Sequence, residues 1–253
     1  MTNPLVCVKR VVDSSGEVVL TEDGQGVDGR YAGFTLSAHE ECAVELAVQV
    51  AGASDGSATV LTLGDADAVE QLRAALAVGC TAATHVVADA QGYGPADVAR
   101  EIAAVVRDHE AAGTPHELVL LGNDAADSGD FQVGIRLAYE LGWPVVNGVS
   151  TVSVADGEVT ASGAGPDGHE TYRVVIAAAE HQDFGDGPAI TPRLNPLPRS
   201  SRQVLTAAAS AATVFFDKTL RGAPPSILDH ISAPTDLVVE VYPLHGRELA
   251  PTD

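Results

Sequence analysis

Four times between Leu5 and Leu141 a short apolar run ends in a polar turn and gives way to a segment of helical period, and this rhythm constrains the fold more than any other feature. Its fullest instance is ELVLLGNDAADSGDFQVGIRLAYELGWP, from Glu117 to Pro144. Glu117 to Leu121 is almost wholly apolar, as expected for a strand covered on both faces of a parallel sheet. At Gly122 the pattern breaks into Asn123, Asp124, Asp127, Ser128, Gly129 and Asp130, a composition that cannot pack as core and suits a turn facing ligand or solvent. Asp130 is placed to cap a helix in which Phe131, Ile135, Ala138 and Leu141 share a face, with Gly142 ending it and Pro144 preventing its restart. A polar loop at the carboxyl end of a buried strand, feeding a helix, is where open α/β sheets take nucleotides.

The other units read in the same way. Leu5 to Val8 is the first strand, with Lys9 and Arg10 at its carboxyl end, where they face either a phosphate or a subunit interface. Residues 14–34 read as a hairpin excursion. Ser37 caps a helix through Val50, Glu40 completes a capping box, and Ala43, Val44, Leu46, Ala47 and Val50 form its apolar face. Ala58 to Leu63 is a strand, Ala66 to Val78 a helix stopped by Gly79, Thr84 to Val87 a strand, and Gly94-Pro95 opens a helix reaching His109. The alternation predicts a Rossmann-like, doubly wound parallel sheet. From Gly148 the rhythm changes, and Val149–Val154, Glu158–Ser162 and Thr171–Ala179 predict an antiparallel β-ribbon around Asp156-Gly157 and Gly163 to Gly168. Gly185 to Pro198 holds four prolines and reads as a stiff extended loop, Ser200 to Ala212 as a short helix, and Thr213 to Asp253 as an arm lying on the domain or on another subunit. The chain thus divides into a nucleotide-binding domain, 1–184, and a loop with a C-terminal arm, 185–253.

A net charge of −21 argues against binding nucleic acid or anionic membranes. No stretch approaches the ~20 apolar residues of a membrane span, and the N-terminus carries charges where a signal peptide is apolar, so the expected location is cytoplasmic without membrane insertion. Cys7, Cys42 and Cys80 are odd in number and lack a CxxC pair, which fits reduced core thiols and not a disulfide framework or a structural metal site. The spacing of Asp124, Asp127 and Asp130 lacks the alternating ligands and closing glutamate of a calcium loop, and reads as capping and loop shaping. His39-Glu40-Glu41-Cys42 has no second histidine at helical spacing, so Cys42 reads as core and His39 as a plain exposed histidine. Trp143 reads as a packing anchor beside Pro144.

Four segments in register resemble the β subunit of electron transfer flavoproteins: VCVKRVVD at Val6–Asp13, SAHEECAVE at Ser37–Glu45, LRAALAVG at Leu72–Gly79, and the long stretch ending in Leu-Gly-Trp-Pro at Leu141–Pro144. The resemblance implies a sheet of the adenine nucleotide α-hydrolase-like kind and an electron carrier without side-chain catalysis. It implies an α-subunit partner holding most of the FAD, with AMP or a second FAD possible in this chain. Electrons are expected to pass from flavin dehydrogenases toward a quinone oxidoreductase. Carried over by position, nucleotide contacts fall on Cys7, Val8 and Lys9, on Ser37, Ala38, His39 and Glu40, and on Leu63 and Gly64. The rest fall on Asn123, Asp124, Ala125, Ala126, Asp127, Ser128, Gly129, Asp130, Phe131, Gln132, Val133 and Gly134. The chain departs from the family pattern at Val133, where a hydroxyl is usual, and at Ser37-Ala38 in place of Asn-Pro, and the usual dehydrogenase-recognition loop is not recognisable in 185–202. These departures resemble a divergent subgroup such as the actinobacterial carriers associated with mycofactocin. A stand-alone adenine-nucleotide regulator of the universal-stress type, which shares the sheet, lacks a counterpart for Leu-Gly-Trp-Pro and would need a glycine-rich phosphate loop absent here. An ATP-pyrophosphatase would need an SGGxDS-like loop where Lys9 to Asp13 stands.

Overall fold

The structure is a computed structural model and describes residues 1–89, 92–155, 158–165, 168–175, 203–207 and 239–242. In chain order its elements are β1 (Pro4–Val8), β2 (Val11–Val12), β3 (Phe34–Thr35), α1 (Ala38–Ala53), β4 (Thr59–Gly64), α2 (Val69–Ala77), β5 (Ala82–Val87), α3 (Pro95–Ala111), β6 (Leu118–Gly122), α4 (Val133–Leu141), β7 (Val145–Ala155), β8 (Glu158–Gly165), β9 (Gly168–Val175), β10 (Gln203–Ala207) and β11 (Val239–Tyr242).

Nine of the strands form one sheet in the order β11-β5-β4-β1-β6-β10-β7-β8-β9. From β11 to β7 every pairing is parallel, with Cys7 level with Leu61 on one side and Leu121 on the other. Alternation splits the apolar strand residues between two cores. Val6, Val8, Val60, Leu118 and Leu120 pack with α1 and α2, whereas Leu5, Cys7, Leu61, Leu63, Val119 and Leu121 pack with α3 and α4. Two-sided burial is why these strands read as unbroken apolar runs. Each fully buried leucine, such as Leu5, Leu61 or Leu120, contributes roughly 1.5–3 kcal/mol.

Local signals place the helices. Glu40 caps back onto the Ser37 amide to start α1, whose expected apolar residues are all buried. Asp65 accepts the amides of Asp67 and Ala68, so the helix expected from Ala66 begins as a 3-10 turn, Ala66–Ala68, before α2. Gly94 is the N-cap of α3 with Pro95 at its first position. Gly142 ends α4 in the left-handed conformation, φ 68°.

The antiparallel ribbon forms as β7–β8–β9 on the edge of the sheet, with Val152, Val159 and Ala161 buried in the α1 core. The excursion between β2 and β3 returns as expected, Val12 pairing with Phe34. The helix expected over Ser200–Ala212 is corrected: Gln203–Ala207 is a strand, β10, inserted between β6 and β7. Val204-Leu205-Thr206 favours a strand intrinsically, and a slot between two parallel strands outweighs the flanking alanines. Val239–Tyr242, within the expected arm, pairs along β5 as β11. The Asp156-Gly157 turn, the proline-rich Gly185–Pro198 and the remainder of 208–253 lie outside the described residues.

Candidate functional site

The carboxyl ends of β1, β4 and β6 open into a cavity of about 570 Å³, an ordinary size for a small-molecule site. The strands give it an apolar lining in Cys7, Leu61, Leu63 and Leu121, and the start of α3 adds Tyr93, Pro95, Val98 and Ile102. Val12 and Phe34 come from the β2–β3 ribbon, Glu40 from the first turn of α1, and Val133 from the start of α4. The β6–α4 loop contributes Gly122, Asp124, Ala125, Asp127, Ser128 and Asp130. Lys9 and Arg10, just past β1, are its only cationic lining residues among those described.

Glu40 ties these parts together. Its Oε1 accepts from the Lys9 amide at 2.9 Å, and its Oε2 accepts from the Ser37 amide at 3.0 Å and the Ser37 hydroxyl at 2.6 Å. A Cβ on Gly122 would sit 2.7 Å from Glu40 Cγ and 3.0 Å from the Glu40 amide nitrogen, so α1 can begin against the end of β6 only because residue 122 is glycine. Burial pushes the Glu40 carboxyl up to about 7, outweighing the hydrogen bonds and the Lys9 charge that pull it down. The Cys7 thiol is raised by its own burial and then by Glu40, which makes it a neutral lining group and not a nucleophile.

The loop is held by side chains reaching back to it. Lys9 Nζ lies 2.9 Å from each carboxylate oxygen of Asp127, and His39 Nδ1 abuts the Asp124 carboxylate. Asp130 Oδ1 accepts the Gln132 amide at 2.8 Å. The three aspartates therefore face three different partners and shape the loop instead of converging on one point. Gly129, φ 62°, makes its turn.

Eleven of the residues expected at a site do line the cavity, namely Cys7, Val8, Lys9, Glu40, Leu63, Asp124, Ala125, Asp127, Ser128, Asp130 and Val133. Ser37 and His39 stand one step behind, bonded to Glu40 and set against Asp124. Ala38, Gly64, Asn123, Ala126, Gly129, Phe131, Gln132 and Gly134 are not in its lining. Asp130 does not cap the helix. Its carboxylate closes a local turn, and α4 begins at Val133 with Gln132 as N-cap, so Phe131 (56% exposed) and Ile135 (39%) face outward while Leu137 and Ala138 are buried. His39 is partly buried against Asp124 and not simply exposed. Cys42 is core and Trp143 packs on the α3–α4 core, as expected.

Phe34, Tyr93, Pro95, Val98 and Ile102 went unassigned from sequence. In a parallel sheet every strand's carboxyl end and the helix start that follows share one edge. Tyr93-Gly94-Pro95, the helix start after β5, carried that signal.

A doubly wound parallel sheet with its cleft at the carboxyl ends of the central strands belongs to the α/β class that takes ligands at this edge. Residues 27–179 match the electron transfer flavoprotein domain family. The chain is 34% identical over 185 residues to the electron transfer flavoprotein subunit beta of Mycobacterium leprae, covering 70% of this chain and 68% of the relative. It is 32% identical over 213 residues to that of Syntrophomonas wolfei, 82% and 80% covered, and 31% identical over 181 residues to the mitochondrial subunit beta of Oryza sativa, 71% of each covered. The chain belongs to the electron transfer flavoprotein family, as a β subunit. Nothing in these similarities favours a universal-stress regulator. No helix among the described residues is long and apolar enough to cross a membrane.

Proposed function

We propose that this β subunit pairs with an electron transfer flavoprotein α subunit and holds an adenine nucleotide, AMP or a second FAD, in the cavity at the ends of β1, β4 and β6. The observation that carries this reading is the cavity's composition: an apolar strand-end lining suited to a planar base, carboxylates suited to ribose hydroxyls, and a cationic residue at its wall, Arg10, suited to a phosphate. FAD, which the α subunit would mainly hold, would supply the redox chemistry between flavin dehydrogenases and a quinone-linked or other acceptor. This chain's residues do no bond chemistry. Glu40 fixes the α1 start against β1 and β6, and Lys9 ties the β6–α4 loop back through Asp127.

On this reading the protein is cytoplasmic, and the departures at Val133 and Ser37-Ala38 mark a divergent carrier of the mycofactocin-associated kind. The test is to co-express the chain with an α subunit encoded beside it, purify the pair, and identify the nucleotides released on denaturation by mass spectrometry. A flavin-containing heterodimer releasing FAD with or without AMP is the expected result. A flavin-free chain that never pairs overturns the proposal.

A further inference from the structure

The two cations lining the cavity are not equivalent. Lys9 is matched by Asp127, 2.9 Å away. The Arg10 side chain is only 20% exposed, yet its guanidinium makes no hydrogen bond among the described residues. Its charge contacts are long, 3.9 Å to Asp65 Oδ2 and 3.8 Å to Asp67 Oδ2. Both carboxylates are mostly exposed, and Asp65 is already engaged through Oδ1 with the amides of its own turn.

What holds Arg10 is a ring. Its guanidinium carbon lies 3.4 Å from the centroid of Phe34, and Phe34 is pinned beside it by the pairing of β3 with β2. Stacking uses one face of the guanidinium and leaves the in-plane N–H donors available. An arginine with its stem covered, its plane fixed and its donors short of acceptors is set up for two-pronged recognition of an anionic oxygen pair. At the start of α4, Val133 offers the cavity no hydroxyl.

We infer that Arg10, stacked on Phe34, binds the phosphate of the nucleotide that occupies this cavity. The inference rests on the reading of the cavity as a nucleotide site. Lys9 shapes the loop instead, through Asp127.

The test titrates nucleotide-stripped heterodimer containing the full chain with AMP and, separately, with adenosine. R10Q is expected to weaken AMP binding about 10- to 100-fold, the range for losing hydrogen bonds to a charged group, and adenosine binding by less than about twofold. R10K, which keeps the charge and loses the fork, is expected to fall between, and F34L to weaken AMP by several-fold. If R10Q lowers both ligands equally, or neither, Arg10 is not the phosphate residue while the cavity remains a nucleotide site. If the unmodified heterodimer binds neither ligand, the nucleotide reading falls and this assignment with it. Should R10Q fail to assemble, unchanged AMP affinity in both R10K and F34L overturns the inference.

Discussion

Glu40 makes the stability of this protein depend on pH in a direction opposite to that of most paired carboxylates. Burial raises its carboxyl from the ordinary value of 4.5 to about 7, so the folded state favours the protonated form. Its contribution is complete below the unfolded value and is lost as pH rises through about 7. At about 1.4 kcal/mol for each tenfold change in proton affinity, the loss amounts to about 3 kcal/mol. Glu40→Gln removes that titration at a different cost. The glutamine carbonyl can accept from the Lys9 amide or from the Ser37 amide, but its NH2 then faces the other donor, and one amide that Glu40 now satisfies is left opposed. That mismatch costs about 1–3 kcal/mol at any pH. Urea unfolding of both proteins at about pH 5 and about pH 8 should show the native protein ahead at the lower pH, its lead shrinking by about 2–3 kcal/mol or reversing at the higher one. A lead that is the same at both pH values would mean that Glu40 is not desolvated in the folded state, and the account of the α1–β1–β6 junction would be wrong.

Gly122→Ala places a methyl 2.7 Å from Glu40 Cγ between two rigid elements and should cost about 1–3 kcal/mol, read from the urea midpoint; an unshifted midpoint would contradict so close a crossing. His109 Nδ1 and His116 Nε2 lie 2.7 Å apart in the core, and His116 Nδ1 reaches the Asn3 carbonyl at 3.1 Å. His116→Phe withdraws a hydrogen bond from both neighbours and should destabilise by about 1–3 kcal/mol in thermal unfolding, whereas a neutral result would show that the ring only fills space. Asp127→Asn breaks a half-exposed pair with Lys9 and should change global stability by less than about 1 kcal/mol. A larger loss in the same unfolding assay would show that the loop carries structural weight beyond this contact.

What could be read in the sequence was local and periodic. The Ser37–Glu40 capping box, the glycine stops at 79 and 142 and the two-sided apolar strands each depend on residues within a few positions, and they fixed four βα units and the edge at which a ligand would lie. The loop after β6 was visible for the same reason, although its helix begins two residues later than expected because Asp130 spends its carboxylate on the Gln132 amide. What could not be read was set by distant pairings. Nothing within Gln203–Ala207 says that its place is between strands ending at Gly122 and starting at Val145. Arg10 and Phe34 meet only because a residue pair 22 positions apart in the chain closes as a two-strand ribbon, with Val12 opposite Phe34.

The position of β10 also sets the order in which the molecule can be made. Strands β6 and β7 are successive in the sheet's half of the chain, but in the finished sheet they do not touch; a strand synthesised more than forty residues after β7 ends lies between them. While the ribosome is still extending the chain toward Gln203, β6 presents an open hydrogen-bonding edge, and the β7–β9 ribbon can meet it directly in a pairing the native protein never uses. A chain ending before residue 203 would lack the strand that covers this edge of β6, and an uncovered edge is a template for pairing with another chain.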